Sequence, residues 1–242
     1  MCTLTYMPDG EGFALVSSRD EAINRGPMMP PMLHQQDGAI YPVDQRSGGT
    51  WFMTSEAGYS INILNGGFEP HERHLPYRQS RGLVINHFAQ FGNADDFVAG
   101  YDFVGIEPFT LVVVNHYPRR LSSVVWTGEE AVLTHHDVTQ PMIWSSATLF
   151  SAAAKAERKK WFYQDVINPK INVEGLDTVD ILLSFHHNGG KNWDNLAERI
   201  QMKSDDGKQT VCIAAIAYNS RHWKFIYHDL LSDQQRAISL LG

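Results

Sequence analysis

The chain opens Met1-Cys2-Thr3-Leu4-Thr5-Tyr6-Met7-Pro8-Asp9-Gly10-Glu11-Gly12-Phe13-Ala14-Leu15-Val16-Ser17-Ser18-Arg19-Asp20-Glu21. Residues 2–7 have strand character. Asp9-Gly10-Glu11-Gly12 is a turn between two apolar runs, and Phe13 to Ser17 is the returning strand. A hairpin of this kind brings Ser18-Arg19-Asp20-Glu21 back beside the start of the chain. If Met1 is removed, Cys2 becomes the N-terminus. One residue then carries a thiol nucleophile and a free α-amine to serve as its base. With reference pKa values of about 8.5 for the thiol and about 7.7–8.0 for the amine, both exchange a proton near neutral pH. The small side chain at position 2 suits removal of Met1. The alternative is a small apolar side chain buried in a first strand, the common state of a Cys.

The composition is that of a soluble globular protein: 242 residues, 43% hydrophobic and 19% charged. Twenty-seven acidic against 20 basic residues leave a net charge of -7. That balance argues against a broad nucleic-acid footprint, which needs a basic face. Two cysteines, Cys2 and Cys212, make no disulfide framework for a chain of this length. Reduced thiols and a cytoplasmic location follow as expectations. Asp9 to Glu11 interrupt any secretory h-region. No apolar run approaches the ~18–20 residues that span a bilayer. No repeat or linker divides residues 1–242, which read as one domain.

Beyond the hairpin, the Pro- and Met-rich residues 24–38 read as an extended loop. Strands follow at Ala39 to Val43, Thr50 to Thr54 and Tyr59 to Leu64, the last ending at Asn65-Gly66-Gly67. Ser80 to Phe91 has helical spacing with Ser80 as N-cap. Asp95 to Tyr101 reads as a second short helix. Four strands then cover Phe109 to Asn115, Leu121 to Trp126, Ala131 to Thr134 and Met142 to Ser145. Ser151 to Ile167 is the longest helix, stopped by Pro169. Asp177 to His186 is another, capped by Asn188-Gly189-Gly190. Thr210 to Tyr218 and His222 to Tyr227 form a closing hairpin across Asn219-Ser220. This order suits an α+β fold of two antiparallel sheets with helices outside.

Several clusters read as ordinary structure. His71-Glu72-Arg73-His74 spaces its histidines at i and i+3, whereas the helical zinc motif needs i and i+4. His135 and His136 alternate on a strand and cannot share a metal. A single His such as His87, or one within His135-His136-Asp137, suffices for a porphyrin, so the sequence is silent there. Lys155, Arg158, Lys159 and Lys160 read as a solvated helix face, with an anion site as the sharper alternative. GxGxxG, GxxxxGK[ST] and GxSxG motifs are absent. The catalytic reading of the hairpin makes Cys2 the nucleophile. Arg19 holds its thiolate and Asp20 orients the amine. Asn65 supplies an amide N–H to an oxyanion.

The same residues carry a resemblance. Met1-Cys2-Thr3-Leu4, Ser18-Arg19-Asp20-Glu21 and Arg25-Gly26-Pro27 resemble the NRDE family, also called the transport-and-Golgi-organization family. Gly48-Gly49-Thr50-Trp51 resembles its GGTW segment, Asn65 an Asn ending the next strand, and Ser80-Arg81-Gly82 its SRG helix start. Ser145-Ser146-Ala147 with Lys155 is similar to its SNA…K segment, and Thr210 to Ala217 to its final strand. Ser18 and Ser146 stand where the family has Asn, and Lys208-Gln209 where it has an Arg pair. The family is similar to N-terminal-nucleophile (Ntn) hydrolases, particularly penicillin V and bile-salt acylases. The resemblance implies a four-layer α/β/β/α sandwich and hydrolysis of a non-peptide amide by Cys2. Trp51, Arg81 and Ser146 are then substrate-binding, and neither metal nor cofactor is needed. Some members are associated with haem mobilisation or with lipid and acyl-CoA homeostasis. The alternative is therefore a trafficking protein whose Met28-Met29-Pro30-Pro31-Met32 segment lines a pocket for haem or an acyl chain.

Overall fold

The computed structural model describes residues 2–26, 28–168, 177–219 and 222–241. Met1, Pro27, Pro169 and Ser220 lie outside them. So do the expectations that rest on them: removal of Met1, the Arg25-Gly26-Pro27 match, the helix stop and the final turn. In chain order the strands are β1 (Cys2–Asp9), β2 (Gly12–Ala22), β3 (Met28–His34), β4 (Ala39–Asp44), β5 (Phe52–Ser55), β6 (Tyr59–Asn65), β7 (Phe109–Asn115), β8 (Arg120–Trp126), β9 (Ala131–His136), β10 (Met142–Ser145), β11 (Lys208–Asn219), β12 (His222–Asp229) and β13 (Gln234–Leu241). The α-helices are α1 (Gly82–Phe88), α2 (Ala94–Gly100), α3 (Ala152–Phe162) and α4 (Thr178–Asn188). Among the described residues no helix is long and apolar enough to cross a membrane.

The chain forms two compact units. The first comprises Met1–Arg25, Thr139–Ser145 and Phe150–Gly242. Its antiparallel sheet has six strands in the order β10-β1-β2-β11-β12-β13. The β1–β2 hairpin is the expected one, with Cys2 opposite Arg19 and Asp9 opposite Gly12. Strand alternation divides β2 between two faces. Ala14 and Val16 of β2, with Ile213 and Ala215 of β11, pack against Trp161, Phe162, Leu182 and Phe185 of α3 and α4. Ser18 and Asp20 continue that helix-covered face, and Ser17 and Arg19 take the other.

Three expectations for this unit need correction. The helix that starts at Ser151 is α-helical only to Phe162 and continues as a π-helix over Tyr163–Ile167. Its N-cap is as expected, since Ser151 accepts a hydrogen bond from the Ala154 N–H at 3.1 Å. Arg158 does not belong to a solvated face: it is fully buried, while Lys159 and Lys160 are exposed. The hairpin β11–β12 does not close the sheet, because β13 pairs with β12 from His222↔Leu241 to Asp229↔Gln234. Polar residues such as Gln234, Gln235 and Arg236 hide that strand from pattern reading. It is held by backbone pairing at an edge, where charge is favoured.

The second unit comprises Gly26–Val138 and Ser146–Leu149. Its seven strands run β3 to β9 in sequence order, all antiparallel. Residues 28–34, expected as loop, form its edge strand. Pro30 and Pro31 fall inside the register shift between Met29 and Met32, as prolines must in a strand. The helix expected to begin at Ser80 begins at Gly82, after Arg81, with no side-chain cap. The second helix is capped instead by Asn93, which accepts from the Asp96 N–H at 2.9 Å. Aromatic rings fill the space beside α1 and α2. Tyr59 meets Phe88 at 5.1 Å, Phe88 meets Phe97 at 5.4 Å, and Phe103 meets both Phe97 and Trp126 at 5.3 Å.

Candidate active site

Of the seven residues singled out from the sequence, Cys2, Arg19 and Asp20 lie in the first unit. Trp51, Asn65, Arg81 and Ser146 lie in the second. In the first unit, register sets the geometry. Cys2 of β1 is opposite Arg19 of β2, and Arg19 is also opposite Cys212 of β11. The guanidinium is buried and reaches the Glu21 carboxylate at 3.5 Å. Cys212 is a buried thiol beside Tyr227, whose hydroxyl is pushed up by burial and by that neighbour.

Asp20 stands next in β2 and is fully buried. The Thr210 hydroxyl donates to its Oδ1 at 2.6 Å, while Oδ2 has no hydrogen-bond partner among the described residues. Burial raises its pKa to about 6, against the opposing pull of Arg158 and the Thr210 hydrogen bond. Arg158 reaches this place from α3. Its Nη1 donates to Thr3 Oγ1 at 2.5 Å, its Nε to the Glu198 carbonyl at 2.9 Å, and its Nη2 to the Arg199 carbonyl. The Phe150 ring lies 3.4 Å from its Cζ. Burial lowers the guanidinium to about 10, and Asp20 and Glu198 oppose that shift.

One step along the same face, His186 of α4 is fully buried between two hydroxyls. Its Nε2 lies 2.9 Å from Thr5 Oγ1 and its Nδ1 2.6 Å from Ser18 Oγ. Thr5 gives its own proton to the Val16 carbonyl at 3.4 Å. That makes Nε2 the protonated nitrogen and Ser18 the donor to Nδ1. Burial first, then His187 and Arg158, lower His186 to about 3, so the ring is neutral. Ser18 is thus absorbed into a hydrogen-bonded network on the face opposite Arg19. Sequence reading missed Arg158, His186 and Thr210. A signal existed for Arg158: it shares helical spacing with Ala154, Trp161 and Phe162, all buried.

In the second unit, the expected motifs meet. Thr50 N–H donates to the Gly82 carbonyl at 3.2 Å. A Cβ on Gly49 would stand 2.5 Å from the Gly82 carbonyl carbon, so the GGTW and SRG segments touch where only glycine fits. The Trp51 carbonyl accepts from Asn62 Nδ2 at 3.1 Å and from the Ile63 N–H at 3.0 Å. At the end of β6, the Asn65 carbonyl accepts from Ser146 Oγ at 2.7 Å and from the Ala147 N–H at 3.1 Å. The next residue, Gly66, has φ +85°, and a Cβ there would meet Thr148 at 2.9 Å. Arg81 pairs with Glu107 at 3.2 Å and donates to the Pro108 carbonyl at 3.3 Å; that carbonyl also accepts from the Gly66 N–H. The structure therefore joins Asn65, Ser146 and Arg81 in one neighbourhood.

Histidines outside this neighbourhood have local partners. His71 and Arg73 reach Glu107 at 3.4 and 3.2 Å. His135 meets Ser122 at 3.0 Å and His136 meets Ser123 at 2.8 Å, on opposite faces of β9. Among the described residues no three His, Cys, Asp or Glu side chains gather as a metal site requires.

A family model described as "Transport and Golgi organisation 2" matches residues 1–234. No curated protein matches the chain. Among solved structures, a mutant conjugated bile acid hydrolase from Clostridium perfringens is similar at TM-score 0.54 and 9% identity. The match covers 99% of this chain and 92% of that one. A second variant of that hydrolase is similar at 0.50 and 8%, covering 100% and 96%. A Caenorhabditis elegans ortholog of N-acylethanolamine-hydrolyzing acid amidase is similar at 0.55 and 10%, covering 89% and 92%. At such identities the likeness carries the fold. It is the Ntn-hydrolase-like α+β fold of two antiparallel sheets that the sequence implies.

Proposed function

This chain belongs to the Transport and Golgi organisation 2 family, and from that premise we propose that it hydrolyses an amide C–N bond other than a peptide bond, with Cys2 as nucleophile after loss of Met1. The observation that carries the reading is the register of the first hairpin: β1 starts opposite the buried cation Arg19, and Asp20 follows with one unpartnered carboxylate oxygen. A cation beside a thiol favours the thiolate. An unpartnered buried carboxylate oxygen is an acceptor for an ammonium group. The fold likeness to an amidase and a bile acid hydrolase adds a prior and no more.

In this mechanism the Cys2 α-amine takes the thiol proton as sulfur attacks the substrate carbonyl carbon. A C–S bond forms, and the carbonyl oxygen becomes an oxyanion that N–H donors stabilise. The amine returns the proton to the leaving nitrogen as the C–N bond breaks. A water molecule then adds to the thioester and releases the carboxylic acid and the thiol. Arg19 and Asp20 orient the pair.

Two measurements test this. Intact mass should show a chain lighter by one Met residue; retention of Met1 removes the free-amine mechanism. A screen of acyl amides should then find turnover in the wild-type protein that is lost in Cys2→Ala. Equal rates in both exclude Cys2 as nucleophile.

A further inference from the structure

Resting on that reading of Cys2, we propose that Arg158 is a positioning residue of the site: it anchors the start of β1 through Thr3 and supplies the positive field in which Asp20 ionises. Stability alone gives a poor account of this side chain. A buried charged group together with its counter-charge is generally replaceable as a whole by apolar residues of similar size without loss. Yet Arg158 commits Nε, Nη1 and Nη2 to three acceptors on two distant chain segments, Thr3 and Glu198-Arg199, and lies against the Phe150 ring. One of those acceptors is Thr3, the residue that follows Cys2. The antiparallel register that pairs Thr3 with Ser18 and Cys2 with Arg19 runs on toward Asp20. An amine freed at Cys2 would therefore emerge at the Asp20 end of the pairing.

The charged surroundings of Asp20 support the same role. The Arg158 charge acts on it from α3, Arg19 adjoins it in β2, and Thr210 bonds it from β11. From α4 the neighbouring titratable group is His186, held neutral by burial. Glu198 acts on Arg158 rather than on Asp20. Arg158 is thus the leading counter-charge against the burial that pushes Asp20 toward its protonated form. A protonated Asp20 would be a poor partner for an ammonium group.

The test uses full-length protein with Met1 shown by mass to be absent, in a Cys212→Ala background so that Cys2 is the only thiol. Asp20 is titrated by its 13C carboxyl resonance, and Cys2 by its rate of alkylation with iodoacetamide against pH. Arg158→Met should raise the Asp20 midpoint by at least about one pH unit and carry the acidic limb of alkylation with it. Arg158→Lys should restore the midpoint, because the charge returns. It should still slow alkylation by about tenfold, as should Thr3→Val, because each loosens the start of β1. An unmoved Asp20 midpoint in folded Arg158→Met overturns the proposal. If Arg158→Met does not fold, Arg158→Lys and Thr3→Val decide, and wild-type alkylation in both overturns it. Amide turnover that needs Cys2 but ignores Arg158 removes only the positioning role. Alkylation that follows Arg158 without any amide turnover removes only the hydrolase.

Discussion

Both units pack their helices on apolar side chains, but the first adds a buried charged network beneath β1 and β2. Beside α1 and α2 the second unit uses rings, with Phe88, Phe97, Phe103 and Trp126 in contact between 5.3 and 5.4 Å. Beneath β1 and β2 the first unit buries Thr3, Thr5, Ser18, Asp20, Arg158 and His186. Rings stabilise through area and dispersion, and tolerate loose specification. A buried polar network stabilises little in net terms, but it is costly to break and admits one arrangement. The contrast indicates that the start of β1 is built for fixed geometry, which a nucleophile at Cys2 would need.

The largest effect is expected where a member of either cluster is removed. Phe97→Ala should cost about 3–5 kcal/mol through the cavity it leaves. Arg158→Met should cost a similar amount, about 3–5 kcal/mol, by stranding Asp20. Denaturant unfolding separates the two causes. Adding Asp20→Asn should recover part of the loss from Arg158→Met and none of the loss from Phe97→Ala. Equal additivity in both pairs would remove the distinction drawn between the units.

A smaller effect comes from pH, because each unit also buries one neutral histidine. Burial lowers His186 in the first unit to about 3 and His116, bonded to Ser60 at 2.9 Å, in the second to about 4. Both fall below the unfolded value of about 6.5. Their contribution is complete above about pH 6.5 and is lost as pH falls toward the folded values. Each adds a slope of up to about 1.4 kcal/mol per pH unit. Asp20, raised to about 6, acts in the other sense, losing stability as pH rises from about 4 to 6. Chemical unfolding followed from pH 7 to 5 should therefore weaken the protein. His186→Gln and His116→Gln should each flatten the slope, and a slope unchanged in both would contradict the buried neutral state.

The smallest effect separates two cations on one helix. Lys160, exposed and paired with Glu157 at 3.3 Å, should change stability by no more than about 0.5 kcal/mol when replaced by Ala. A Lys160→Ala loss as large as that of Arg158→Met would mean that burial does not distinguish them.

The first hairpin was legible because turn chemistry at Asp9 to Gly12 separates two apolar runs. The glycines of the GGTW and SRG segments were legible as motifs, but their meeting was not, since Gly49 and Gly82 are brought together by packing between distant segments. β3 was hidden by Pro30 and Pro31, which local rules assign to loop and which an edge strand accommodates at a bulge. β13 was hidden by its polar residues, because an exposed edge needs no apolar face. Of the candidate site, the return of Arg19 and Asp20 toward Cys2 followed from local pairing, and Asn65 and Ser146 came separately from motifs; their contact did not.

Local and periodic chemistry by itself determined the α+β class, the two antiparallel sheets, the opening hairpin and the return of Arg19 and Asp20 toward Cys2. Those features depend on residues near one another in the chain, whose backbone preferences and alternation suffice. Only the tertiary structure decided that Arg158 leaves its lysine neighbours to bond Thr3, and that Ser18 is taken by His186. Each of these is a contact across more than a hundred residues. Each depends on which face of a strand a helix covers, and burial, with its price for an unpaired charge, then selects the partner.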